Sequence, residues 1–168
     1  MEKSLKKGLK VQDIALMGML IATLEVGKIA LNAIPNVEIV TLLIILYTMQ
    51  YGRKTIYAVI VFVLLECFMW GIGLWTIMYM YIWPLLAVIV YFLRRIDNVW
   101  FWSIFAGIYG MLFGALGPLV YLFMGGVKTA FAWWIAGIPW DVVHGISNLV
   151  LMAALYRPLR RLLKKYTI

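Results

Sequence analysis

Apolar runs follow one another along this chain with almost nothing polar between them. Each is closed by a few basic residues, by the Gly71-Ile72-Gly73 turn or by the Asn32 to Asn36 stretch. Six runs can be marked, at residues 11–31, 37–51, 54–71, 75–93, 98–123 and 138–157. Crossing the hydrocarbon core of a bilayer takes about 20 mainly apolar residues, so a chain of 168 residues has room for six crossings and little else. Composition agrees: 65% of the residues are hydrophobic and 13% charged, where a soluble domain is about half apolar and a quarter charged. So small a body cannot hide that much apolar surface in its own interior, which makes lipid its solvent. Backbone polar groups in lipid must be satisfied within the segment, and helices do this. The expected fold is an all-α integral membrane protein, a six-transmembrane-helix bundle with short loops forming a single domain over residues 1–168.

The breaks between runs have identifiable causes. Pro35 disfavours helix at Ile34 and so parts the first run from the second. The second run, 37–51, is short for a core of about 30 Å at ~1.5 Å per residue, and is expected to be thin-sided or tilted beneath its neighbours. The stretch from Met124 to Gly137 carries a Gly pair, Lys128 and the Trp133-Trp134 pair. It is too short to span and reads as a helix lying in the interface. Pro139 suits the first turn of a last helix, where its absent N–H is no loss.

Basic residues set the orientation. If the N-terminus is cytoplasmic, Lys3, Lys6, Lys7, Lys10, Arg53, Lys54, Arg94, Arg95, Arg157, Arg160, Arg161, Lys164 and Lys165 all fall on the inner side, leaving only Lys28 and Lys128 outside. Such a bias predicts a multi-pass cell-membrane protein with both termini cytoplasmic. It also explains the net charge of +8 without nucleic acid. The basic N-terminus resembles a signal-peptide n-region, but no A-x-A site follows and the run continues through Glu25 and Lys28, so it reads as a retained first span.

Several chemistries are excluded early. The single cysteine, Cys67, allows no internal disulfide, and the single histidine, His144, allows no multi-His metal site. The Gly125 to Thr129 stretch lacks the Gly-Lys pair of a phosphate-binding loop, because Val127 precedes Lys128. No catalytic residues, cofactor or enzyme activity are expected, and any ATP hydrolysis belongs to partner subunits.

Acids carry the functional signal. Glu2, Asp13 and Asp97 lie towards the inner side, whereas Glu25, Glu38, Glu66 and Asp141 fall in the outer halves of four different runs, near Asn32 and Asn36 in depth. An ionisable group inside a membrane segment costs roughly 2.5–3.5 kcal/mol on insertion scales and normally faces a bundle interior or a wet cavity. Four at one depth suggest a polar pocket open to the outside. The alternative is interfacial residues meeting headgroup water, or structural pairs such as Glu25 with Lys28. In the last run Asp141, His144 and Asn148 follow at i, i+3 and i+7 on one helical face, suited to gripping a polar ligand or, alternatively, to forming a structural seam. Trp75 and Tyr79, at i and i+4, offer faces for stacking, although aromatic belts at membrane interfaces are the ordinary alternative. On the first run Ala15, Gly18 and Ala22 form a small-residue stripe that lets another transmembrane helix approach closely, or serves internal packing.

Taken with Gly18-Met19-Leu20-Ile21-Ala22, Ile34-Pro35-Asn36-Val37-Glu38 and the Gly137 to Asn148 run, the chain resembles the substrate-binding S component of an energy-coupling factor (ECF) transporter. Gly18 departs from the small Ala-x-x-x-Ala motif usual there. The resemblance implies a membrane subunit that captures a vitamin outside and docks through its first span on a transmembrane coupling subunit carrying two cytoplasmic ATPase subunits. It then topples in the membrane to present its site inward. Carried over, Ala15, Gly18 and Ala22 meet the coupling subunit and the Asn32 to Glu38 loop gates the pocket. Asn36, Glu38, Glu66, Trp75, Tyr79, Asp141, His144 and Asn148 bind substrate. The chain is most similar to cobalamin-type members, while a thiamin- or pyridoxine-like ligand suits the acids equally well. Two other classes stay open: a stand-alone proton-coupled carrier using Glu25, Glu66 or Asp141, and a non-transporting membrane scaffold.

Overall fold

A computed structural model describes residues 10–165. Lys3, Lys6, Lys7 and Glu2, counted above towards the orientation, lie outside the described residues. Among those described there is no strand. Six helices follow one another: α1 (Val11–Leu31), α2 (Val40–Tyr51), α3 (Arg53–Trp70), α4 (Leu74–Leu93), α5 (Val99–Leu116) and α6 (Pro118–Lys165). Four of them, α1, α4, α5 and α6, are long and apolar enough to cross a membrane. Of the others, α2 has only 12 residues, and α3 carries Arg53, Lys54 and Glu66 along its 18.

The short second helix is the centre of the bundle. Every residue from Val40 to Met49 is buried, and apolar residues stand on all its sides, as expected of a helix surrounded by others. The outer surface is apolar too. Val61, Leu64 and Phe68 on α3, Ile104, Ile108 and Met111 on α5, and Val142, Ile146 and Val150 on α6 are all exposed. A soluble monomer rarely leaves so much contiguous apolar area uncovered, and this surface is compatible with membrane insertion. Ala15, Gly18 and Ala22 also face outward, and a Cβ added to Gly18 would meet nothing within 4 Å. The stripe therefore takes no part in packing within the bundle.

Two segment boundaries differ from expectation. The run 98–123 does not form one helix, because α5 stops at Leu116 and a new helix starts at Pro118. Proline has no N–H to continue the helical ladder, and its ring crowds the preceding turn. The Tyr81 hydroxyl covers the break, donating to the Leu116 carbonyl at 2.9 Å, with the Gly117 carbonyl at 3.2 Å. Nor is 124–137 a separate interfacial helix. The only non-helical residue inside α6 is Gly126 (φ 73°, ψ −177°), a conformation that side chains other than glycine's resist. Beyond it one helix runs from 127 to 165, about 58 Å at ~1.5 Å per residue. Pro139 accordingly sits in a helix interior and not in a first turn, which membrane helices tolerate where neighbours satisfy the freed groups.

Polar ties gather Arg53, Lys54 and Arg160 at one end. Lys54 Nζ reaches Asp13 Oδ1 at 2.5 Å, Arg53 Nε donates to the Tyr91 hydroxyl at 3.0 Å, and Arg160 donates to Gln50 Oε1 at 2.5 Å. These bonds join the starts of α1 and α3 to the ends of α2, α4 and α6, so successive helices alternate in direction. Lys28, Glu38, Glu66 and Asp141 belong to the opposite end.

Candidate functional site

The end opposite the basic residues opens into a pocket of about 620 Å³ between the α1–α2 loop and helices α1, α4, α5 and α6. Its polar side is built around Glu38, the last polar residue before α2. One carboxylate oxygen accepts the Thr41 N–H at 2.8 Å, closing the first turn of α2, and the other lies 3.1 Å from His144 Nε2. This contact ties the loop to α6. The loop is tied again where the Ser147 hydroxyl lies 3.0 Å from the Asn36 carbonyl, with Asn36 in the left-handed region at φ 57°. Asparagine tolerates that conformation better than other residues that carry a Cβ.

Close packing of α5 on α6 sets the depth of Asp141 and His144. A Cβ on Gly110 would lie 3.0 Å from backbone atoms of His144 and Gly145, and one on Gly114 would run into the Asp141 carboxylate. Bare glycines on α5 thus let α6 approach until the His144 ring meets Phe113 edge-on, with ring centroids 4.9 Å apart. The remaining wall is aromatic. Trp75 packs on Trp133 at 5.6 Å, Tyr79 on Trp83 at 5.8 Å and Trp83 on Phe113 at 5.2 Å, and Trp140 completes the rim. On the α1 side Lys28 lines the pocket, pairs with Glu66 of α3 and stands 5.0 Å from the Tyr79 ring centroid.

Of the eight residues expected to bind substrate, Asn36, Glu38, Trp75, Tyr79, Asp141 and His144 line this one pocket. Glu66 does not line it and pairs with Lys28, which does. Asn148 lies behind it, buried, with its amide 3.3 Å from the Thr41 hydroxyl, where it locks α6 to α2. Lys28, Phe113 and Gly114 were not among those eight. A clue to Gly114 was the spacing of Gly107, Gly110 and Gly114 at i, i+3 and i+7, one helical face of α5.

Chemically the site offers flat apolar faces and one spare hydrogen-bond acceptor. Asp141 Oδ2 is buried without a hydrogen-bond partner. Buried acceptors are nearly always satisfied, so a ligand that brings N–H or O–H groups past the aromatic rim meets an unfilled demand at Asp141. Ser147 spends its hydroxyl between backbone carbonyls and does not reach the His144 ring. Among the described residues, no three of His, Cys, Asp and Glu gather closely enough to hold a metal ion. No family model matches the chain, and neither does any curated protein or solved structure.

Proposed function

We propose that this protein is the substrate-capturing S component of an ECF-type importer. In this reading it crosses the membrane six times with both termini cytoplasmic, and the pocket faces outward. The single observation that carries the proposal is the pocket itself: an aromatic-walled cavity with an unfilled acceptor at Asp141, at the end of an apolar bundle opposite Arg53, Lys54 and Arg160. The exposed Ala15, Gly18 and Ala22 face adds a surface where a transmembrane coupling subunit can pack, with its two ATPase subunits supplying the energy. A volume of about 620 Å³ falls in the range that encloses a drug-sized molecule. It favours a vitamin built on one or two rings with amine or hydroxyl groups. Cobalamin, the other candidate, would leave much of its corrin ring outside the mouth.

Purification from its native membrane tests the reading. The chain should bring down a coupling subunit and two ATPases, and mass spectrometry should find a small organic molecule in the pocket. Gly18→Trp should remove the partners and ATP-driven uptake while leaving ligand binding intact, because Gly18 lies outside the pocket and touches nothing in the bundle. A chain that transports without ATPases, and stops when the proton gradient collapses, would be the stand-alone carrier instead. Glu25 is the observation favouring that second reading, since both its carboxylate oxygens are buried without hydrogen-bond partners.

With the ligand identified, His144→Ala should weaken its binding by about 5- to 150-fold, the equivalent of roughly 1–3 kcal/mol for a buried polar group losing its partner. Asn148→Ala should instead lower the unfolding temperature and shift affinity far less. Titration by intrinsic tryptophan fluorescence reads the first effect and thermal unfolding in detergent the second. Equal losses of affinity in both variants would mean that the Asp141 to Asn148 face acts only as a structural seam.

A further inference from the structure

A second cavity, of about 380 Å³, lies at the basic end between the α4–α5 connection, the start of α5 and the end of α6. Its walls carry Arg157, Arg160 and Arg161 against one carboxylate, Asp97. That carboxylate is already occupied. It accepts the Lys164 ammonium at 2.7 Å and the Tyr156 hydroxyl at 2.6 Å, and these two hold its pKa below the usual carboxylate range. Arg160 donates to Gln50 and keeps its Nε 3.8 Å from Asp97, too far for a hydrogen bond. The Nε–H is left buried and without a partner. Arg157 and Arg161, four residues apart on one face of α6, are exposed and make no ion pair among the described residues. The backbone N–H groups at the start of α5 are not the attraction, because the Asn98 side chain already accepts from Trp100 and Phe101.

Three guanidinium groups thus border a space whose one lining carboxylate already holds two donors, and the buried Nε–H of Arg160 has no hydrogen-bond acceptor. Guanidinium donors match the oxygens of a phosphate group in pairs, and an anion there also relieves repulsion among the arginines. The surroundings identify the source of that phosphate. Trp100, at the cavity's edge, is 65% exposed, and exposed Phe92 and Ile104 continue the apolar outer surface from the same level. Basic pockets between helices at a membrane boundary take acidic headgroups. We propose that this cavity binds the phosphate group of an anionic phospholipid. Arg157 and Arg161 grip its oxygens, and Arg160 Nε–H supplies a further donor. The site is separate from the ligand pocket and does not depend on what that pocket carries.

The test uses the full chain purified in a neutral detergent, with phosphatidylglycerol, phosphatidylcholine and inorganic phosphate as probes. Phosphatidylglycerol should raise the unfolding temperature and remain bound in native mass spectra, and phosphatidylcholine should do neither. Arg157→Gln and Arg161→Gln should each weaken phosphatidylglycerol binding by about tenfold or more, as expected for a lost charge-assisted contact. Lys128→Gln, which removes a positive charge far from the cavity, should leave it unchanged. Equal response to the two lipids, retention in the double arginine variant, or an equal loss in Lys128→Gln would overturn the proposal. Stabilisation by millimolar inorganic phosphate that matches the lipid's and vanishes in the arginine variants would overturn the lipid assignment and leave a site for soluble phosphate.

Discussion

Lys28→Met should destabilise the bundle by about 3–5 kcal/mol, the usual consequence of stripping one partner from a buried ion pair. The Glu66 side chain is 1% exposed, and Lys28 provides its only ion pair among the described residues. The same ammonium stands 5.0 Å from the Tyr79 ring centroid and 5.9 Å from that of Trp70, so one substitution removes an ion pair and two cation–π contacts. It also leaves Glu25, three residues earlier on the same helix, without its nearest positive charge. The pair test is Lys28→Met combined with Glu66→Met. Removing both charges together should restore most of the lost stability, because the penalty lies in the orphaned carboxylate and not in lost volume. Thermal unfolding of the two variants in the same detergent decides the matter. A double variant as unstable as the single one would assign the role of Lys28 to its contacts with the rings.

Gly110→Val should be nearly as severe. Its Cβ would press on backbone atoms of His144 and Gly145 at 3.0 Å, and backbone cannot rotate aside as a flexible side chain can. Overpacking of this kind costs about 1–3 kcal/mol, and relief requires α5 and α6 to separate. Separation would pull His144 off Phe113 and away from Glu38, so ligand affinity should fall together with the unfolding temperature. Gly137→Ala supplies the control of opposite sign. It lies inside α6, a Cβ there meets nothing within 4 Å, and replacing a helical glycine by alanine gains about 0.5–1 kcal/mol. If Gly110→Val left both stability and binding untouched, the two helices would be held apart by something other than their glycines.

These residues also show what could be read from the chain before its structure. Helices were legible from the length of the apolar runs and their basic punctuation, because both are what lipid as a solvent demands. Six of the eight expected ligand-binding residues share one pocket, since ionisable side chains at a common depth in a bundle have only its interior to face. Helix α2 was legible as short, but its central position was not. A helix that is apolar all round says that it is covered without saying by which neighbours. The continuity of α6 was hidden because glycine, lysine and paired tryptophans between 124 and 137 resemble an interfacial segment, whereas only Gly126 adopts a conformation that breaks the helix. Asn148 shared a helical face with Asp141 and His144, as its spacing predicts. Yet a face that is one stripe on a helix wheel extends over two turns in depth, and its lower end meets Thr41 instead of the cavity.

The brevity of α2 has a consequence for the work of crossing. Twelve residues rise about 18 Å, against roughly 30 Å for the hydrocarbon thickness around them. In the six-span importer proposed above, Glu38 at the head of that helix is recessed below the plane of the surrounding lipid. A ligand resting against it there has part of the bilayer behind it before any subunit moves. What remains beneath, in that proposal, is a plug little longer than α2 itself, a shorter stopper to clear than a whole bilayer.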